Sequence, residues 1–360
     1  MKTTLFFSAL AFFSLSLSAA TPYINKVYEY LPAPGQFVNT MPEYESGDNA
    51  SSILSKVEEA ILADNKGLIT LGALGGYVVF GFDHTIVNVP GQYDFRVWGN
   101  AMVNTSEPGV IYVMKDENGN GIPDDTWYEI AGSEYNNAAC KHNLEITYYR
   151  PASSSEDIRW SASDGTSGVV ARNTFHNQPY FPQWLNDETI SYRCTMLPPN
   201  YTYSGGIYYL NAFDYGYADN HPNTDERSGI KIEWAVKADG SPANLSGIDF
   251  VKVATGLNQV LGPIGESSTE VSGAEDLHVD ADGVEDNFAT SSVVLLNTVA
   301  TDCLHVSCVE PVDVSVFSLS GACLAAEHLA EGDNSIEVAS LAPGVYILRT
   351  PKAAFRFVKF

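Results

Sequence analysis

Basic residues are scarce in this 360-residue chain: 19 Lys and Arg stand against 44 Asp and Glu, a formal net charge of -25. Nucleic acids and anionic membrane surfaces are held by Lys and Arg, so neither is expected as a partner. After residue 17 no apolar run approaches the roughly 20 residues that cross a bilayer, and no membrane span is expected. None of the five cysteines forms a Cys-x-x-Cys pair, which argues against a zinc ribbon or a thioredoxin-like site. No nucleophile elbow, His-Glu-x-x-His or phosphate-cradling loop is present. The cluster Gly72, Gly75 and Gly76 lacks the lysine and following helix of a phosphate loop and reads as close backbone packing. No repeat of fixed period is found, which disfavours a propeller.

What is present is strand text. Charged residues are 18% and aromatics 12%, so the chain can bury a core and is not disordered. Short apolar runs recur between Gly, Pro, Asn and Asp breaks, at 76–82, 93–98, 110–114, 144–149, 230–236 and 248–253. One helix is expected over 50–63, where Ile53, Leu54, Val57, Ala60 and Ile61 repeat at helical spacing and Ser51 or Ser52 can cap. The fold class is therefore all-β: a large β-sandwich or jelly-roll main domain with one short helix, then a small Ig-like β-sandwich tail. The expected boundaries are a signal peptide over 1–20, the main domain over 21–278, a linker over 279–292 and the tail over 293–360. Lys2, the apolar run 5–17 and Ser18-Ala19-Ala20 make the charged, apolar and small-residue parts of a signal peptide. No cysteine follows the small residues, so a lipoprotein signal is not expected. Export permits disulfides; Cys140 with Cys194, and Cys303 or Cys308 with Cys323, are the candidate pairs, with connectivity open.

The sharpest chemical motif is 116–125. Asp116, Asn118, Asn120, Asp124 and Asp125 carry side-chain oxygens, Gly121 permits a sharp turn, and the Ile122 carbonyl is a further donor. A hard cation such as calcium takes several oxygens from a flexible loop. Trp127 stands where an EF-hand has its bidentate Glu, so this is not an EF-hand; a hairpin turn whose Asn and Asp only cap their own backbone is the alternative. The loop 214–225 also gathers oxygens without a standard ligand spacing and reads as a turn with a partial binding role. Asp276, Asp280 and Asp282 read as linker solvation. Asp83 and His84 are strand neighbours that point to opposite faces, so they form no acid–base pair unless the strand bulges. No carboxylate pair stands out for glycoside cleavage, and no catalytic residue is assigned. Rings and amides gather at 176–184, and rings again at 201–209, as flat apolar faces with hydrogen-bonding neighbours. Half of these rings should be core, Trp234 and Tyr209 among them.

The tail run "strand, Leu319-Ser320-Gly321, strand, Leu341-Ala342-Pro343-Gly344-Val345-Tyr346, strand", ending in 355–360, resembles the type A C-terminal sorting domain of the type IX secretion system of Bacteroidetes. A small Ig-like domain without an address role is the alternative. That resemblance implies export across the outer membrane to the cell surface, with the type IX machinery as a partner. The phrases Glu29-Tyr30-Leu31-Pro32-Ala33-Pro34-Gly35, Gly81-Phe82-Asp83-His84, Trp98-Gly99-Asn100, Ser106-Glu107-Pro108-Gly109 and Gly265-Glu266-Ser267-Ser268-Thr269-Glu270 resemble Bacteroidetes "cell surface protein" sequences, sometimes joined to PKD-like modules. Some members of that family belong to cobamide (vitamin B12) acquisition systems, and this chain departs from those lipoproteins in lacking a lipobox. The resemblance implies a non-enzymatic surface protein, calcium-stabilised, that captures a nutrient, a cobamide first, with an outer-membrane transporter as a further partner. A glycan-binding module or adhesin is the alternative, and a surface glycan hydrolase the next. The expected ligand residues are Trp98, His176, Tyr180, Trp184 and Tyr215, with His176 either a cobalt ligand or a solvated loop histidine.

Overall fold

The computed structural model describes residues 20–279, 293–318, 322–350 and 354–359. The expected signal segment 1–19, nearly all of the linker, with Asp280 and Asp282, and the 319–321 turn lie outside the described residues. Strands take 42% of the described residues and helix 7%, and the class is an all-β sandwich.

The centre is a seven-stranded antiparallel sheet. Its order is Lys26–Leu31, Tyr77–Val87, Gly247–Thr255, Gly109–Met114, Tyr128–Ile130 and Ala235–Val236, with Tyr217–Ala218 also paired to Gly109–Met114. Val78, Phe80, Ile111, Val113, Val251 and Val253 on these strands are buried, and the alternation of the sequence is the cause. One helix, Ala50–Ile61, buries Ile53, Val57 and Ile61 in that core, together with Phe95, Val97 and Ala274 of a three-stranded sheet. The helix is capped by Asn49, whose side chain accepts from the Ser51 and Ser52 N–H groups, while Ser52 Oγ accepts the Asn49 N–H. The cap thus falls two residues before Ser51 and three before Ser52, the serines expected for it, and Ser52 instead supplies the reciprocal bond from the third helical position.

A four-stranded antiparallel sheet, in the order Thr189–Met196, Lys141–Tyr149, Ile158–Ala162, Ser167–Val170, builds a second core. Its inward residues Leu144, Ile146, Tyr148, Ile158, Val170, Ile190 and Tyr192 pack with Ala33, Leu74, Tyr180 and Phe181. The 72–76 glycines sit at this junction: a Cβ on Gly72 would lie 1.8 Å from the Ala33 carbonyl, and one on Gly76 1.9 Å from that of Leu71. In the tail, Val293–Leu295, Cys303–Cys308 and Gly332–Glu337 pair as one sheet. Val299–Ala300, Ala354–Lys359, Gly344–Arg349, Val312–Ser318 and Cys323–Leu329 pair as another. Their shared core runs from Val293 to Phe357 and takes no residue from the earlier part of the chain.

Five expectations are corrected here. Residues 230–236 are not one strand: Gly229–Ile230 and Ala235–Val236 join different sheets across a 3-10 turn at Ile232–Trp234. Trp234 on that turn and Tyr209 on an outlying hairpin are half-buried rather than core. The five cysteines are free, since Cys194 faces the second core and Cys303 and Cys323 lie in different sheets. The strand Tyr77–Val87 does bulge: Gly81 pairs with Phe250 and Ile86 with Ile248, leaving four residues on one strand opposite a single residue on the other. The bulge lets His84 Nδ1 meet Asp83 Oδ1 at 2.6 Å, while Nε2 meets Asp276 Oδ2 at 2.9 Å. Asp276 is accordingly a buried strand residue, 4% exposed, not a solvating linker carboxylate.

Candidate functional site

Three of the five expected ligand residues lie inside the protein. Tyr180 is 1% exposed, and its hydroxyl accepts the Asn173 N–H. Trp184 is 6% exposed and stacks on Tyr30 in the first core. Trp98 is 7% exposed, with its indole N–H donated to Glu275. Each is held by packing that a ligand would have to disrupt, so none presents an open face. His176 is half-buried edge-on to Phe37 at 4.7 Å, and Tyr215 leans on Trp234 at 4.7 Å. The five form no common surface of touching rings. Prolines and rings crowd 176–184 in the sequence, and the fold uses Tyr180 and Trp184 of that stretch to seal two cores.

A group of rings that reaches solvent lies on the hairpin Tyr201–Ser204 and Ile207–Leu210. Its Gly205-Gly206 turn has φ of 61° and 85°, the left-handed pair a two-residue hairpin requires. Pairing of Tyr201 with Leu210 and of Tyr203 with Tyr208 puts three tyrosines on one face. Tyr201 is 43% and Tyr203 59% exposed. Tyr208 touches both, with ring centres 5.6 Å from Tyr201 and 4.6 Å from Tyr203. The base of the hairpin is rigid: buried Asn200 donates to the carbonyls of Ser106 and Asn211 and accepts from Gln259, while Leu210 N–H reaches Asn104 O. Exposed Met102 and Val103 precede Asn104 and add apolar rim.

The 116–125 turn closes on itself. Asp116 accepts the N–H groups of Gly119, Asn120 and Gly121, and Asp125 that of Glu117. Asn118 and Asn120 amides donate to Asp124, and Asn120 Oδ1 accepts the Ile122 N–H. Gly119 and Gly121 both have φ of 70° in open solvent. All six expected donors, Asp116, Asn118, Asn120, Ile122, Asp124 and Asp125, therefore share one exposed turn.

A second carboxylate gathering went unread in the sequence. Glu107, Asp219 and Glu270 bring side-chain oxygens within 4.8 Å of one another, the only such grouping of acidic, His or Cys side chains among the described residues. Pairing explains it. Tyr217–Ala218 lies antiparallel to the start of Gly109–Met114, so Glu107 N–H bonds to Asp219 O. Asp219, at φ 51°, then accepts the N–H groups of Asn100 and Ala101 on Oδ1 and of Glu270 on Oδ2. Glu107 accepts Ser268 N–H, and Glu270 accepts the Thr70 hydroxyl. Nearby Glu266, 2% exposed, accepts Gln36 N–H on Oε1, while its buried Oε2 has no partner among the described residues. No lysine, arginine or histidine pairs with these four among the described residues. Burial pushes Asp219 and Glu266 up to about 7. Burial, then mutual repulsion, holds Glu107 and Glu270 well above the usual carboxylate range. These surroundings favour the protonated forms of Glu107 and Glu270. The signal available in the sequence was Gly265–Glu270, a polar run that is wholly buried.

Burial pushes the thiol of buried Cys194 and of half-buried Cys140 up to about 12, which disfavours their thiolates. No described helix is long and apolar enough to cross a membrane. Comparison with protein families and with curated proteins finds no match to this chain.

Proposed function

We propose that this protein is an exported, surface-held binding protein that captures a nutrient ligand, a cobamide first, on the three-tyrosine hairpin. The observation that carries the reading is that hairpin: exposed rings on a stiff turn, rooted in buried amides. Tyrosine gives large apolar contact and a hydroxyl at small entropic cost, which suits an amide-rimmed macrocycle with apolar faces. The likeness of its phrases to the surface-protein family supplies the ligand class. The tail strands support delivery by the type IX route, with that machinery as partner and an outer-membrane transporter as the recipient of the ligand. The 116–125 turn supports a structural calcium: its oxygens already share one turn, and Asp116, Asn118, Asn120, Asp124, Asp125 and the Ile122 carbonyl would hold the ion.

Titration of the purified chain with cyanocobalamin tests the ligand. Micromolar binding that weakens roughly tenfold in Tyr203→Ala is expected, the cost of one buried aromatic contact. Absence of binding at micromolar ligand removes the cobamide. A second reading, a glycan-binding module or adhesin, is favoured by the mutual tilt of 45° and 69° between the rings, which lets them follow a curved chain rather than one plane. A neutral glycan panel that binds through Tyr203 while cyanocobalamin does not would establish that reading instead.

A further inference from the structure

The outer face of the four-stranded sheet carries a hollow of about 390 Å³ that the hairpin reading does not use. It is lined by Tyr149, Arg159, Trp160, Ser161, Ser167 and Val169, with Gly168 at its floor. That volume is within the small-ligand range of about 300–1,000 Å³. Strand register sets its composition. Tyr148 pairs with Trp160 and Arg159 with Val169, so Tyr149, Arg159 and Val169 form one row across three strands. Thr147, Ser161 and Ser167 form the next row. One row offers a ring, a guanidinium and an exposed valine; the other offers three hydroxyls. Tyr149 leans between them, its hydroxyl 2.8 Å from Ser161 Oγ. On the core-facing side of the same strands, the indole of Trp160 packs so close to Gly168 that a Cβ there would sit 2.7 Å from Trp160 Cζ2.

Arg159 is the exception among the arginines. Between residues 21 and 278 there are six. Arg96, Arg193 and Arg227 hold carboxylates, and Arg150 and Arg172 hold backbone carbonyls. The exposed Arg159 guanidinium has only the Tyr149 ring, 5.9 Å away, and no oxygen partner among the described residues. In a chain with 44 acidic side chains, a guanidinium left without a carboxylate, beside a ring and a row of hydroxyls, is complementary to a ligand that brings the carboxylate itself.

We infer that this hollow binds a carboxylate-bearing saccharide of the uronic acid type. The guanidinium takes the carboxylate in its two-pronged geometry, Tyr149 and Val169 cover the C–H face of the sugar, and Ser161 and Ser167 meet its hydroxyls. A bare phosphate would leave the ring and valine uncovered, and a neutral sugar would leave the guanidinium unmatched. The inference stands on the sheet face alone and is independent of the ligand captured at the tyrosine hairpin.

Calorimetric titration of the full chain with an oligogalacturonate tests it, with the fully methyl-esterified oligomer and inorganic phosphate as controls. Binding of the acid form, weakened roughly tenfold or more by esterification and by Arg159→Gln, is expected. Tyr149→Phe, which keeps the ring, should retain most affinity, and Tyr203→Ala should leave it unchanged. Equal binding of the ester, full binding in Arg159→Gln, competition by phosphate at equal concentration, loss in Tyr203→Ala, or no binding at millimolar oligomer would each overturn the assignment. Arg159 is exposed, so the variant keeps the fold, and an unaltered thermal transition verifies that.

Discussion

The exposed turn at 116–125 and the buried set of Glu107, Asp219 and Glu270 solve the same electrostatic problem in opposite surroundings. Asp116 and Asp219 each accept three backbone N–H groups. Around Asp116 water can replace every one of those bonds. Around Asp219 it cannot, and the carboxylate there sits among other carboxylates with no basic partner. The contrast shows that a hydrogen-bond count says little until burial is stated. Burial turns a modest interaction into a costly one to lose and converts a permanent charge into a titrating one.

The sharpest way to break the comparison is to remove both acceptors in turn. Asp219→Ala should cost about 3 kcal/mol or more in denaturant unfolding, because three interior N–H groups lose their acceptor at about 1–3 kcal/mol each. Next in size is the pH response. Carboxylates whose folded pKa is raised hold more protons in the native than in the unfolded state from about pH 4 to about pH 7. Stability contributed by these groups is therefore highest at the acid end of that window and falls as pH rises through about 7. The melting temperature should be lower at pH 8 than at pH 5, and Glu270→Gln should reduce that fall. An unchanged slope in the variant would place the titration elsewhere.

Calcium sharpens the other half. If the exposed turn holds the ion, adding it at a hundredfold its dissociation constant should stabilise by about 2.7 kcal/mol. Chelation should reverse the gain, and Asp124→Asn should abolish most of it. No thermal shift on chelation would count against a structural ion. The smallest effect is expected for Asp116→Ala without added cation, about 1 kcal/mol, since solvent takes over the freed N–H groups. A loss as large as that of Asp219→Ala would erase the distinction between the two regions.

Period-two alternation sufficed for the class of the fold and for most strands, because a half-buried strand writes its face into consecutive residues. It failed where the chain changes sheet within seven residues: Ile230, Ile232 and Ala235 are all buried, yet a 3-10 turn separates them. It also missed the bulge at 82–85, which has no period of its own. The contiguous turn at 116–125 was legible since all its oxygens lie within ten residues. Glu107, Asp219 and Glu270 were not, because only the antiparallel pairing of distant strands brings them together. Ring-rich sequence was an uneven guide to exposure: at 176–184 Tyr180 and Trp184 belong to interiors, while at 201–209 Tyr201 and Tyr203 meet solvent.

The His84 bridge carries a topological consequence. Asp83 receives the Thr21 N–H, and Asp276, which His84 holds, gives its own N–H to Pro22 O; Tyr23 pairs with Glu275 beside them. Entry and exit of this part of the chain are thus neighbours, so a short synthetic joint could close it into a ring and new ends be opened at an outlying turn such as Gly205-Gly206. A cargo domain spliced there would see the same scaffold, and the tail could be exchanged without rethreading any strand.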